Sequence, residues 1–133
     1  MDEIYSAQMD YDIYITGSDQ VWNPINSVLP VYGLGFVPKH YNTIAYAVSI
    51  GVSEIPEDRR EAMYEAIHQV KHISCREQKG AIALQNLLQR DIITVLDPTL
   101  LLQKHQWLEY AKPMDLPERM SLSHHYPSTS PQA

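Results

Sequence analysis

Apolar residues along the chain fall into short runs that polar turns separate. Runs at 13–16, 41–50 and 92–96 are rich in β-branched and aromatic residues, and a brief run covers 72–75. Runs of this kind, bounded by Gly, Pro or Asp, predict β-strands. The run at 41–50 is small or apolar almost throughout, which is typical of a strand that is buried on both faces of a parallel sheet.

Helical spacing predicts two longer helices between these strands. The first begins at Pro56, where a missing N–H costs nothing, and Lys71 and His72 close it. Its apolar stripe consists of Ala62, Met63, Ala66, Ile67 and Val70. The second helix covers about 77–88, and a short third helix follows the turn Asp97-Pro98-Thr99 and runs through Trp107.

The interval 25–39 contains Pro and Gly and predicts a loop, with a short extended piece at 34–37. The resulting β–α–β–α–β order predicts an α/β fold: a Rossmann-like parallel sheet with flanking helices and right-handed crossovers. We expect one domain at 1–113. Residues 114–133 are rich in Ser, Pro and Thr and are predicted to be a disordered tail outside that domain.

Composition excludes several classes of function. The net charge of −6 argues against a nucleic-acid partner, since no basic face is present to displace counterions. The single cysteine, Cys75, excludes an internal disulfide and fits a reducing cytoplasm, and we interpret it as a core residue. No apolar run approaches membrane-spanning length. We therefore expect a cytoplasmic location, including peripheral contact with the inner membrane face.

The stretch Tyr11–Pro24, YDIYITGSDQVWNP, carries the clearest chemical signal. A strand ends at Gly17 and is followed by a hydroxyl, a carboxylate and an amide, from Ser18, Asp19 and Gln20. Loops at the carboxyl ends of strands build ligand sites in α/β folds, and these groups suit a polyhydroxyl ligand. Trp22 offers a flat face for a sugar ring. The alternative is a turn followed by a buried tryptophan.

Three later stretches also place polar residues at or directly after the end of a predicted strand. AYAVSIG places Ser49 at a second strand end, and ISCREQKG places Arg76 and Glu77 at the start of a helix. A cation is disfavoured there by the helix dipole, so Arg76 needs a partner: an anionic ligand, or a carboxylate such as Glu77, Asp19 or Asp97. VLDPTLLL forms a turn in which Asp97 and Thr99 contact a ligand or only cap the turn.

GSDQVWN, together with these three stretches in this order, resembles the polysaccharide pyruvyl transferase family. The resemblance covers about Tyr11 to Trp107. It implies transfer of a pyruvyl group from phosphoenolpyruvate to sugar hydroxyls, with a sugar or lipid-linked oligosaccharide as acceptor and no cofactor. It also implies an architecture similar to glycosyltransferase-B enzymes, of which this chain matches part of the first lobe. We therefore expect a fragment that is inactive alone, whose second lobe is missing or is another chain.

The resemblance assigns the catalytic roles to Asp19 as a base and Arg76 as an anion contact. The substrate-binding residues that it implies are Gly17, Ser18, Gln20, Trp22, Ser49, Glu77, Asp97 and Thr99. A metal shared by Asp19 and Asp97 is disfavoured, because two carboxylates from separate turns are a weak signal. The alternatives are a non-catalytic module that binds a sugar or nucleotide, and a partner-dependent subunit that self-associates through an apolar edge at 32–37.

Overall fold

The computed structural model describes residues 11–25 and 29–112. The chain divides into two compact units, Met1–Leu102 and Gln103–Ala133. The tail predicted at 114–133 lies outside the described residues. No helix in the part of the chain that the structure describes is long and apolar enough to cross a membrane.

The first unit is built on a four-stranded sheet in which all pairings are parallel and the strands follow chain order. The strands are β1 (Ile13–Thr16), β2 (Asn42–Val48), β3 (His72–Cys75) and β4 (Ile93–Thr94). Each coincides with a predicted run, although β4 is shorter than its run. The Rossmann-like α/β prediction is confirmed.

Helices connect these strands. The first unit contains α1 (Leu29–Tyr32), α2 (Glu57–Ile67), α3 (Gln78–Leu88) and a 3₁₀ turn at Pro98–Leu100, and the second unit contains α4 (Lys104–Tyr110). The 3₁₀ turn follows Asp97, where the sequence predicts a turn, and α4 contains Trp107, as predicted for the short third helix. The extended piece predicted at 34–37 is wrong, because these residues form turns and Leu34 has φ 57°. Leu34 and Val37 are buried within their own chain, so they do not form the apolar edge that the sequence predicted at 32–37 for self-association.

The end of α2 differs from the prediction as well. The helix stops at Ile67, and His68 caps it by donating its backbone N–H to the carbonyl of Tyr64. Lys71 and His72 therefore do not close the helix. The physical reason is the sheet: His72 begins β3, and its pairing opposite Ile44 requires an extended backbone.

The hydrophobic core lies between α2, α3 and one face of the sheet. Met63 and Ile67 of α2 and Leu84 of α3 are fully buried against Ala45 and Cys75 of the sheet. Side chains on β2 alternate, so that Thr43, Ala45 and Ala47 are buried while Ile44 and Tyr46 are only half-buried. The burial on both faces that the sequence predicted is therefore incomplete at Ile44 and Tyr46, whereas the consecutive Ala47 and Val48 are both fully buried.

A bulge interrupts the pairing of β2 with β3. The register shifts between Ala45 and Val48, and Ala47 has φ 49°. The Ser74 hydroxyl accepts a hydrogen bond from the Ala47 N–H at 3.1 Å and donates one to the Ala45 carbonyl at 3.2 Å. The buried Ser74 side chain thus replaces the backbone hydrogen bonds that are lost at the bulge between β2 and β3.

We predict that Ser74→Ala lowers the free energy of unfolding by about 1–3 kcal/mol, because it leaves a buried N–H and carbonyl without partners. Urea denaturation measures the change. Ser53→Ala, at an exposed position, is the control and is expected to have little effect. Equal stability of the two variants would contradict this role for Ser74.

Candidate functional site at the strand ends

The loops that follow the four strands emerge at one edge of the sheet, because the strands are parallel. These loops bring six polar residues of the first unit together, and we call this group the strand-end cluster. Its members are Ser18, Asp19, Arg76, Glu77, Asp97 and Thr99.

Arg76 is the centre of the cluster. Its Nη1 lies 2.9 Å from Asp97 Oδ2, its Nε 3.0 Å from Glu77 Oε1, and its Nη2 3.6 Å from Asp19 Oδ1. The sequence left these carboxylates as alternatives, and the structure pairs Arg76 with all of them. The bond to Asp97, and then the bond to Glu77, raise the pKa of Arg76 above its ordinary value.

Asp97 accepts four hydrogen bonds. Its Oδ1 accepts from the Thr99 backbone N–H at 2.9 Å and from the Thr99 hydroxyl at 2.7 Å. Its Oδ2 accepts from the Ser18 hydroxyl at 3.1 Å and from Arg76. The two bonds from Thr99 foremost, and then Arg76, hold the pKa of Asp97 well below its usual range. Asp97 is therefore a carboxylate that is charged at neutral pH and ties three loops together.

Backbone contacts fix the loop after β1. Gly17 has φ 123°, and a side chain there would collide with the carbonyl oxygen of Tyr46, so the close approach of β2 requires glycine. The Asp19 carbonyl accepts from the Ser49 N–H at 2.9 Å, and the Ser49 carbonyl accepts from the Trp22 N–H at 3.2 Å. The loops after β1 and β2 therefore hold each other in place.

A cleft of about 420 Å³ lies beside the cluster. The residues that line it are Gln20, Ser49, Gly51, Val52, Ser53, Glu77, Gln78, Lys79 and Gly80. The Ser49 hydroxyl is buried and accepts from the Gly51 N–H at 3.2 Å, and Gln20 accepts from the Asn23 side chain at 3.3 Å. Gln20, Ser49 and Glu77, predicted from separate stretches, thus line one cavity.

Trp22 lies away from this cleft, in the hydrophobic core. Its ring is fully buried, and its Nε1 donates to the carbonyl of Tyr32 at 3.0 Å. The structure therefore has the buried tryptophan that the sequence left as an alternative, and the indole offers no face to a sugar. Cys75 is also fully buried, as predicted, and burial raises the pKa of its thiol.

The comparison with family models decides the family. The model of the polysaccharide pyruvyl transferase family matches residues 2–130, nearly the whole chain. The chain belongs to this family. Neither the curated proteins nor the solved structures gave a significant match. The match confirms the resemblance that GSDQVWN and the three later stretches carry.

Sequence reasoning missed one residue that organises the site in this pyruvyl transferase family member. The Tyr46 hydroxyl donates to the carbonyl of Leu96 at 3.3 Å, directly before Asp97. Its signal lies in AYAVSIG, where the alternation of β2 places Tyr46 on the face opposite Ala45 and Ala47. In that stretch only Ser49 was predicted to contribute to the site. Tyr46 therefore connects the second family stretch to the fourth.

The carboxylates of the cluster pair with the Arg76 guanidinium. Among residues 11–25 and 29–112, no group of three or more His, Cys, Asp and Glu side chains could hold a metal ion.

We predict that Asp97 causes part of the loss of stability in acid. Its pKa is lower in the folded chain than the value of about 3.9 in unfolded chains, so its contribution is fully present above that value. The contribution is lost as the pH falls toward the folded pKa. Asp97→Asn should therefore reduce the pH dependence of the free energy of unfolding below about pH 4.

Urea denaturation at a series of pH values tests this prediction. Asp91→Asn is the matched control, since Asp91 lies on the surface outside the cluster. It is expected to keep the wild-type pH dependence. An Asp97→Asn variant with an unchanged acid slope would show that the cluster does not hold Asp97 in its charged form.

Proposed function

We propose that the chain acts in the transfer of a pyruvyl group from phosphoenolpyruvate to sugar hydroxyls, forming a ketal in polysaccharide biosynthesis. In this proposal the strand-end cluster is the wall of a cleft that holds the sugar acceptor, within an architecture similar to glycosyltransferase-B enzymes. The observation that carries it is the convergence of the loops after β1, β3 and β4 on Arg76, in a chain that belongs to this family.

The charge of the cluster supports the sugar over phosphoenolpyruvate as its ligand. Asp19, Glu77 and Asp97 face the single guanidinium of Arg76, which leaves an excess of negative charge. Two like charges 4 Å apart repel by about 4 kcal/mol at an effective dielectric constant of about 20. Phosphoenolpyruvate carries several negative charges, whereas sugar hydroxyls donate hydrogen bonds to carboxylates. Arg76 then orients the carboxylates and does not contact the phosphate.

Asp19 is the carboxylate best placed to accept a proton from a sugar hydroxyl. Its side chain is 85% exposed, and it makes the longest contact with Arg76, at 3.6 Å. Asp97 is a poor base by comparison, because four donors surround it and its pKa is held low. A positioned base that takes the hydroxyl proton accelerates attack on the pyruvyl group by about 10²–10⁴-fold.

The acid that protonates the enol carbon is not part of this cluster. His40 precedes β2 and His72 begins β3, so both lie at the amino ends of strands, opposite the cluster. His68 caps α2 and contacts the carbonyl of Tyr64. We propose that the described residues of the first unit bind and orient the acceptor, and that the acid and the phosphate contacts come from elsewhere.

The second candidate function is a module that binds a sugar or nucleotide and performs no transfer. The observation that favours it is the same one: the described histidines of the first unit lie away from the cluster. Incubation of the chain with phosphoenolpyruvate and hexose acceptors tests the second candidate. Release of phosphate together with a ketal that mass spectrometry detects would exclude a pure binding module, whereas neither product is expected where the chain supplies only the acceptor side of the cleft.

We predict that sugars, and not phosphoenolpyruvate, bind at the cluster. The Arg76 Nε–H bonds to Glu77 at 3.0 Å and gives an NMR signal that reports on this contact. Titration with methyl hexosides should shift the signal, and titration with phosphoenolpyruvate should not. The opposite result would place the donor here and contradict the proposed role of the cluster.

We also predict that Asp19→Asn weakens sugar binding. A hydrogen bond to a charged group contributes about 1.5–3 kcal/mol, so the affinity should fall about tenfold or more. Asn tolerates the φ of 60° at this position, so the loop is expected to keep its shape. Isothermal titration measures the affinity. Asp12→Asn, before β1 at the other end of the strand, is the control, and an equal affinity for both variants would exclude Asp19 from the site.

A further inference from the structure

The side-chain amide of Gln20 has a defined orientation at the wall of the cleft of about 420 Å³. A backbone N–H only donates, and the Ile25 N–H donates to the Asn23 side chain at 3.1 Å. The Asn23 atom in this bond is therefore its carbonyl oxygen Oδ1, so Nδ2 is the atom that faces Gln20, at 3.3 Å. An amide nitrogen accepts no hydrogen bond, so the Gln20 atom that meets Nδ2 is Oε1.

Gly51 provides the space for these two amides. Its φ is 66°, and a side chain there would collide with Gln20 Oε1 and with Asn23 Nδ2. The Asn23 backbone N–H also donates to the Gln20 carbonyl at 3.2 Å, which keeps the two residues in one turn. The carbonyl end of the Gln20 side chain is therefore held by Asn23 against Gly51, and Nε2 is the end that remains for a ligand.

The groups that remain available at this wall are hydrogen-bond donors. Gln20 Nε2 donates to none of the residues that the structure describes. Ser49 is 1% exposed, and its oxygen accepts from the Gly51 N–H at 3.2 Å, while its own O–H donates to no group in the described part of the chain. A buried donor without an acceptor costs free energy. A ligand group that accepts hydrogen bonds is therefore favoured here.

The charge around the cleft favours a neutral acceptor over an anion. The adjacent cluster has three carboxylates for the single guanidinium of Arg76, and Lys79 at the cleft offsets one of the two excess charges. Glu77, the carboxylate among the described residues that line the cleft, already accepts from Arg76 Nε at 3.0 Å. The surroundings remain negative, and they therefore repel a phosphate or a carboxylate.

An acetamido group meets both requirements. Its carbonyl oxygen is neutral, carries no proton and has two lone pairs, so it can accept from Gln20 and Ser49 together. A hydroxyl group in the same place would also bring a proton of its own to a wall of donors. Val52 adds an apolar side chain to the lining, which suits the methyl of the acetamido group.

We propose that Gln20 determines acceptor specificity by donating from Nε2 to the acetamido carbonyl of an N-acetylhexosamine. Asn23 is the positioning residue, because it holds Oε1 and so leaves Nε2 free for the ligand. This inference rests on the proposed function, in which the cleft holds the sugar acceptor, and it names the class of that sugar. Gln20 recognises the acetamido group, while Asp19 takes the proton of a hydroxyl.

Isothermal titration of the whole chain tests this assignment. The probes are the methyl glycosides of N-acetylglucosamine, N-acetylgalactosamine and N-acetylmannosamine, each compared with the methyl glycoside of its parent hexose. At least one acetamido sugar should bind about tenfold more tightly than its parent, as a hydrogen bond made in one complex only would give. The same sugar should shift the NMR signals of the Gln20 side-chain N–H₂ group, which a merely structural glutamine would not show.

Asn23→Asp is the decisive variant. The carboxylate still accepts from the Ile25 N–H but has no N–H to donate, so Gln20 must turn Nε2 toward it and present Oε1 to the cleft. The preference for the acetamido sugar should then disappear. Gln20→Glu also removes the donor at an exposed position and should have the same effect. Asn86→Asp is the matched control, because it makes the same change of charge on α3 outside the lining of the cleft.

Circular dichroism confirms that each variant is folded. Equal affinity of the wild-type chain for every acetamido sugar and its parent hexose would overturn this inference and leave the sugar-binding role of the cleft intact. A wild-type chain that binds no sugar would overturn both. A preference that survives Gln20→Glu would exclude Gln20 as the donor, and one that survives only Asn23→Asp would exclude Asn23 as its positioning residue.

Discussion

The ion pair between Arg76 and Asp97 is the interaction on which the strand-end cluster depends. It joins the loop after β3 to the loop after β4 at 2.9 Å, and Ser18 brings the loop after β1 to the same carboxylate at 3.1 Å. Parallel pairing makes this possible, because it delivers the carboxyl ends of all four strands to one edge. Asp97 can accept hydrogen bonds from three loops because the hydrogen bonds from Thr99, in its own turn, already stabilise the charged carboxylate.

The same interaction changes how the chemistry of the site is understood. An arginine at a strand end is an obvious anion contact, but here its donors point at carboxylates of the chain itself. The groups that the cluster presents to a ligand are therefore negatively charged carboxylate oxygens, and the carboxylate of Asp19 is the most exposed of them. That surface matches hydroxyl groups better than a phosphate or a carboxylate, and it supports a sugar-facing role within the polysaccharide pyruvyl transferase family.

Strand order also determines which face of the sheet the connections leave exposed. Strands that follow chain order bring consecutive loops side by side, which gathers Asp19, Ser49, Arg76 and Asp97 from separate stretches. The same order sends every crossover to one side and leaves the other side of the described sheet apolar and exposed. The strand order that assembles the site therefore also leaves this face of the described sheet exposed.

The sequence by itself determined the strands, the two longer helices, the family and most of the residues at the site. Each depends on local information: β-branched runs, helical spacing and the turn residues that follow a strand. Tertiary structure alone decided that Arg76 pairs with three carboxylates, that Trp22 enters the core, and that one face of β2 stays open. It also placed Ser74 across the bulge at Ala47. The reason is that these outcomes depend on which distant residues the sheet register brings together, and no local pattern encodes that register.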